Sequence, residues 1–139
     1  MKLVVDASVA IKWFVGRSQD EPYLAQAEAV GTAIGRGGTQ LFAPSHWIAE
    51  VIAVLAQVDG STIDDALLLL DDMRPVLVTS VSVLRRAADL SISLNHHLFD
   101  TLYHAVALEQ DAALVTADEA YFAKARHLGS IELLADFAM

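Results

Sequence analysis

The 139 residues include no cysteine. That excludes disulfide frameworks, zinc ribbons, thiol nucleophiles and iron–sulfur ligation, and it fits a reducing cytoplasm. Proline and glycine are scarce, at 3 and 7, so collagen-like repeats and Pro/Gly-rich linkers are excluded as well. Positive charge is short: 9 Lys and Arg stand against 18 Asp and Glu, a formal net charge of −9. A protein that coats nucleic acid through a basic surface does not look like this. Long apolar runs are missing too. Ala66 to Leu70 is bracketed by Asp65 and Asp71, and nothing approaches the ~20 residues of a membrane span. The opening run Leu3-Val4-Val5 behind Lys2 mimics a signal peptide, but Asp6 and Lys12 interrupt it. The expectation is a cytoplasmic chain with no membrane partner.

What is present is apolar. Residues of the set AVILMFWYC make up 55% of the chain, enough to fill a core and leave apolar surface for a partner. The length predicts one domain over residues 1–139.

Short β-branched runs alternate with helical patterns. Strands are expected at Lys2–Asp6, Leu41–Ala43, Val76–Thr79, Ala113–Thr116 and Ile131–Leu134. Helices are expected at Ala7–Phe14, at Gln19–Arg36 before Gly37-Gly38, and from Ser45 to Gly60, where Ile48, Val51, Ile52 and Leu55 share one face. Thr62 and Asp65 suggest a capping box ahead of Ile63, Ala66, Leu67 and Leu70. Val81–Leu94, Asp100–Gln110 and Glu119–His127 complete the helices. This alternation predicts an α/β fold: a three-layer α/β/α domain around a central parallel sheet.

Ligands of open parallel sheets gather at the carboxyl ends of strands. Asp6 closes the first strand and Asp118 follows the fourth, each with a hydroxyl two positions away, Ser8 and Thr116. Taken alone, each acid reads first as a helix N-cap, since Asp and Ser are preferred there. Glu50, early in the helix after the second strand, and Asp100, at the start of a later helix, add two more carboxylates. If the four converge, they make an all-oxygen pocket that cannot stay dry and unpaired. Such donors select Mg²⁺ or Mn²⁺, the cations that phosphodiester hydrolysis uses. No Ser-His-Asp order or Walker loop competes with this reading.

Four segments carry a family resemblance. Val4-Val5-Asp6-Ala7-Ser8-Val9-Ala10-Ile11-Lys12-Trp13-Phe14 resembles the opening of PIN-domain proteins, specifically the VapC-like toxins of type II toxin–antitoxin systems. Ala43 to Val51 is similar to their second motif, Phe99 to Ala107 to the third, and Leu114 to Glu119 to the fourth. The resemblance implies a metal-dependent endoribonuclease with Asp6, Glu50, Asp100 and Asp118 as catalytic metal ligands for Mg²⁺ or Mn²⁺. Ser8 and Thr116 would support them. It also implies a homodimer, an RNA substrate and a cognate antitoxin, whose inhibitory segment the acidic pocket predicts to be basic. Two positions depart from many relatives: Thr101 stands where Ala or Cys follows the third acid, and Ala53 where Asn follows the Glu.

Other residues invite competing readings. His96, Asp100 and His104 fall at i, i+4, i+8, a spacing that would suit a zinc site if one helix carried all three, but Leu94-Asn95-His96-His97 reads as a loop before Asp100, which argues against it. Trp13 and Trp47 could stack on bases or pack in the core or a dimer interface. Lys12, Arg17, Arg85 and Arg86 are candidate phosphate contacts, although an Arg85-Arg86 pair more often marks a solvated helix face. A receiver-like phosphoacceptor domain would need an acidic pair after the first strand and a late Lys, and both are missing. A catalytically inactive PIN scaffold that only binds a partner would not need all four acids.

Overall fold

The sheet grows outward from the first strand. The computed structural model describes residues 1–15 and 21–138. Among these, β1 (Lys2–Val5), β2 (Gln40–Ala43), β3 (Val76–Leu77), β4 (Ala113–Thr116) and β5 (Ile131–Leu133) pair in the order β3-β2-β1-β4-β5, every pairing parallel. Leu3, Val4, Val5, Leu41, Phe42, Ala43, Leu114 and Val115 are all buried. These runs are apolar without alternation because helices cover both faces of the sheet, giving the expected three layers.

The helices are α1 (Ala7–Ala10), α2 (Lys12–Val15), α3 (Leu24–Gly35), α4 (Trp47–Val58), α5 (Ile63–Asp72), α6 (Val81–Leu94), α7 (Leu98–Gln110) and α8 (Glu119–Ala125). Helix α7 crosses β1, β2 and β4, and α6 packs against it. Thr101, buried in α7, donates its hydroxyl to Ala87 O of α6 at 2.9 Å and to Leu98 O at 3.1 Å. The hydroxyl at this position therefore ties two helices together. None of the helices described is long and apolar enough to cross a membrane.

Several boundaries differ from the sequence expectation. The first helix divides at Ile11, where Phe14 N–H bonds to Ile11 O, three residues back. Lys12 turns inward there, its ammonium 2.7 Å from Glu21 Oε1. The expected start of the next helix, Gln19, lies outside the described residues. Its described part begins at Leu24, because Pro22 disfavours a helical Glu21 and Tyr23 is left-handed at φ 60°. Gly37 and Gly38, at φ 82° and 79°, make the turn into β2 that a side chain would strain.

The expected capping box is replaced. Asp59 accepts from Ser61 N–H at 3.2 Å, while Thr62 donates its hydroxyl to Asp59 O at 2.8 Å. Strand β3 stops at Leu77, although Val78 N–H still reaches Ala43 O at 2.8 Å. Helix α7 starts two residues early, at Leu98, capped by His97 Nδ1 accepting from Phe99 N–H at 3.2 Å. The last helix ends at Ala125 in a tighter turn, Arg126–Leu128, and β5 ends one residue early, at Leu133.

Candidate metal centre

From β1 the chain moves to β2 and β3 on one side, then returns to β4 and β5 on the other. The crevice at such a reversal lies at the carboxyl ends of β1 and β4. Asp6 follows β1, and its N–H bonds to Val115 O at 3.0 Å. Its Oδ2 accepts from Thr116 Oγ1 at 2.7 Å, and its Oδ1 lies 3.5 Å from Ser8 N–H, a long capping contact. Ser8 Oγ accepts from Ala117 N–H at 3.1 Å, so both hydroxyls singled out from the sequence join the two strand ends.

Asp118 caps α8, with Oδ1 accepting from Tyr121 N–H at 3.0 Å. Its backbone N–H in turn donates to Thr116 Oγ1 at 3.0 Å. Asp6 and Asp118 are thus helix caps and members of an acidic cluster at once, one oxygen of each serving the cap.

Asp100 comes from the first turn of α7, and its electrostatics link the other three acids. Burial raises its carboxyl above the ordinary range, His96 opposes, and Asp118 and Glu50 push it further up, leaving it raised. Burial also lifts Asp6, to about 6, with Asp100 adding to the rise against the bonds from Thr116 and Ser8. Glu50 goes the other way. Burial would raise it, but His46 and Tyr103, with His97 nearby, outweigh burial and hold it below the usual range.

Tyr103 and His46 were not among the residues chosen from sequence, yet they fix Glu50. The Tyr103 hydroxyl donates to Glu50 Oε1 at 2.5 Å. Burial and the adjacent acids raise the phenol well above its usual range, so it stays a donor. His46 Nε2 lies 3.2 Å from the same oxygen, off the line of a formed hydrogen bond, so the contact is chiefly electrostatic. His46 and Glu50 are four apart on one helix, a local signal the sequence does carry. A shallow hollow of about 270 Å³ opens beside Glu50, lined by His46, Ala49, Ala53 and Phe99. Exposed Ala53 keeps its mouth wide.

His96, Asp100 and His104 do not share one helix, as the loop expected ahead of Asp100 implied. His96 precedes α7, and His104 points away into the core, where Nδ1 meets the Tyr121 hydroxyl and Nε2 meets Gly129 O, each at 2.8 Å. Nε2 must donate to the carbonyl, so Nδ1 accepts from the tyrosine. Instead His96, Asp100 and Asp118 bring one potential ligand atom each within 4.8 Å of one another.

Trp47 is fully buried and serves the core. Trp13 donates Nε1–H to Ala27 O at 2.7 Å and lines a larger cleft of about 380 Å³ with Leu24, Gly31 and Met73, sharing no residue with the acids. Among the candidate phosphate contacts, Lys12 is buried against Glu21, Arg85 pairs with Asp89 at 2.7 Å on an exposed helix face, and Arg86 lies 3.9 Å from Glu109. Arg17 lies outside the described residues.

The class is therefore a three-layer α/β domain with a carboxylate cluster at the reversal point of a parallel sheet. The PIN domain model matches residues 3–128, and the chain belongs to the PIN domain family. Among solved structures, it is similar to a chain of VapBC-1 from nontypeable Haemophilus influenzae, with a TM-score of 0.70 and 18% identity, covering 98% of this chain and 100% of that one. At that identity the likeness concerns the fold. No curated protein matches the chain.

Proposed function

We propose that this PIN domain is a VapC-like, metal-dependent endoribonuclease, the toxin of a type II toxin–antitoxin pair, acting as one domain over residues 1–139. The observation that carries the reading is geometric: Thr116 joins Asp6 to Asp118 at the ends of β1 and β4, and Asp100 from α7 brings a ligand atom within 4.8 Å of one from Asp118. Asp6, Glu50, Asp100 and Asp118 would hold Mg²⁺ or Mn²⁺. The residues fit such a cation: the four donors are hard oxygens, and the raised Asp6 and Asp100 mark negative charge that the protein leaves only partly compensated. When bound, the cation would supply Lewis acidity, neutralising the phosphate and easing deprotonation of the attacking water.

The chain's own residues do the positioning. Thr116 and Ser8 hold Asp6 across the two strand ends, while Tyr103 and His46 keep Glu50 ionised. Phe99, exposed at 48%, offers a stacking face for an unpaired base beside the acids. Because Lys12, Arg85 and Arg86 all face acidic partners, RNA affinity is modest and salt-sensitive.

The similarity to a VapBC-1 chain supports an antitoxin partner. A basic segment placing an Arg fork on Asp6 or Asp118 would suit the pocket's charge. Exposed Leu67, Leu68 and Leu69 of α5, with Val76 and Leu77 at the β3 edge, support a protein-covered surface and a homodimer. A cytoplasmic location follows from this pairing with RNA and antitoxin.

The test is cleavage of RNA by purified protein. Mg²⁺ or Mn²⁺ should support it, a chelator should stop it, and Asp100→Asn should lower it at least ~100-fold. Equal cleavage by Asp100→Asn would remove the site assignment, and no cleavage under any cation would leave the inactive scaffold.

A further inference from the structure

His96 sits in the short link between α6 and α7, just after Asn95, which is left-handed at φ 50°. Its side chain is only 13% exposed, and its ring meets Tyr121 edge-on with centroids 4.8 Å apart. The two ring nitrogens face opposite chemistries. Nδ1 lies 3.2 Å from Lys124 Nζ, and that ammonium is anchored by a bond to Asn95 O at 2.9 Å. Nε2 faces Asp100 Oδ2 at 3.2 Å and Asp118 Oδ2 at 3.8 Å.

An ammonium has donors and no lone pair. Nδ1 must therefore accept, and the neutral ring carries its hydrogen on Nε2. The spacing of His96, Asp100 and Asp118 would let a cation bridge all three, so a ligand role has to be weighed. A ligating imidazole aims a lone pair at the metal and donates its other N–H to a carboxylate or carbonyl. Here the arrangement is reversed, since the far nitrogen meets a donor and the near one carries the hydrogen.

We infer that His96 is a positioning residue: Lys124 locks it as the Nε2–H tautomer, and in that form it holds Asp100 at a fixed separation from Asp118. The two acids stand at the N-termini of different helices, α7 and α8, and like charge drives them apart. The positive end of the Nε2–H dipole faces both acids: Asp100 at 3.2 Å, off the line of a formed hydrogen bond, and Asp118 at 3.8 Å, beyond hydrogen-bond length. This inference rests on the acidic cluster being the metal centre proposed above.

Three measurements on the full chain test it. Long-range nitrogen–proton NMR of the metal-free protein should show the Nε2–H tautomer at His96, changing to a mixture in Lys124→Met. A parent in the Nδ1–H tautomer overturns the inference, whatever the metal does. Calorimetry with Mn²⁺ should show His96→Phe binding ~10–100-fold more weakly, with KM for RNA unchanged. His96→Gln, which keeps a donor near the Nε2 position, should recover most of that loss. Parent-like binding by the Phe variant, or no recovery by Gln, overturns it. Electron spin echo spectra of the Mn²⁺-loaded parent should lack any nitrogen coupling that disappears in His96→Phe; such a coupling would make His96 a ligand. A parent with the locked tautomer that fails to bind Mn²⁺ overturns the metal-centre reading and, with it, the effect on metal affinity. A parent that binds Mn²⁺ with an unlocked tautomer overturns this inference alone.

Discussion

The Thr116 hydroxyl donates to Asp6 Oδ2 at 2.7 Å across 110 residues of chain. Thr116 Oγ1 in turn accepts from the Asp118 N–H at 3.0 Å, which fixes the direction of the hydroxyl proton toward Asp6. Thr116→Val keeps the shape and removes both bonds. Because the residue is fully buried, the loss should cost ~1–3 kcal/mol in denaturant unfolding. Asp6 should also titrate above its value of about 6, whereas Thr116→Ser should retain most of both properties. A Val variant as stable as the parent would mean the bond contributes nothing net.

Asp100 is raised by burial and by the charges of Asp118 and Glu50. Replacing it with Asn removes a repelling charge, so the metal-free protein should gain stability. With its side chain 42% exposed, solvent screening limits the gain to under ~1 kcal/mol. Millimolar Mn²⁺ should raise the melting temperature of the parent and shift the variant far less. Melting in chelator decides the matter: an Asn variant less stable than the parent makes Asp100 a structural residue of the first turn of α7.

Asp6 and His104 tilt the pH dependence of stability in opposite directions. Asp6 is raised from 3.8 to about 6, so its contribution is fully present below pH 3.8 and lost as pH rises through about 6. The shift corresponds to about 3 kcal/mol. His104 is lowered from 6.5 by burial, so its contribution is full above pH 6.5 and lost as pH falls through the depressed value. In the metal-free state Asp6→Asn should therefore outlast the parent at pH 7.5, and the advantage should vanish by about pH 4. An advantage independent of pH would show that Asp6 does not titrate in this window.

Tyr103 is almost fully buried, and its hydroxyl serves Glu50. Tyr103→Phe should cost ~1 kcal/mol and move the Glu50 carboxyl upward, since one of the groups lowering it is gone. Carboxylate-resolved NMR titration reads the second effect. An unmoved Glu50 would assign its lowered value to His46 and His97 alone.

Two of the acids were legible from sequence because their signal is local. Asp6 and Asp118 follow strands and precede helices, which places them at the sheet edge whether or not they cap. Glu50 and Asp100 needed the tertiary fold, because nothing local says that α4 and α7 bring Glu50 to Tyr103. The pattern His96, Asp100, His104 is not a one-helix site, as the loop expected ahead of Asp100 implied, for a physical reason. Asn95 adopts φ 50° and α7 begins only at Leu98, so His96 is off the helix while His104 lies on its buried face. Strand boundaries were readable from apolar runs, but β3 ends early because an edge strand keeps pairing only where its neighbour still faces it. Glu21-Pro22 could have been read correctly, since the residue before a proline avoids the helical region.

The strand order has a consequence for how the molecule is made. β1 is synthesised before the other four strands and lies at the centre of the sheet, yet its neighbour β4 begins only at Ala113. Asp6 meets Thr116 and Asp118 only after β4 and the residues that follow it have been synthesised. A growing chain that already carries Asp6, Glu50 and Asp100 still lacks one wall of the crevice. Translation itself thus acts as a timer, withholding the arrangement of Asp6 with Asp118 until β4 has been added to the chain.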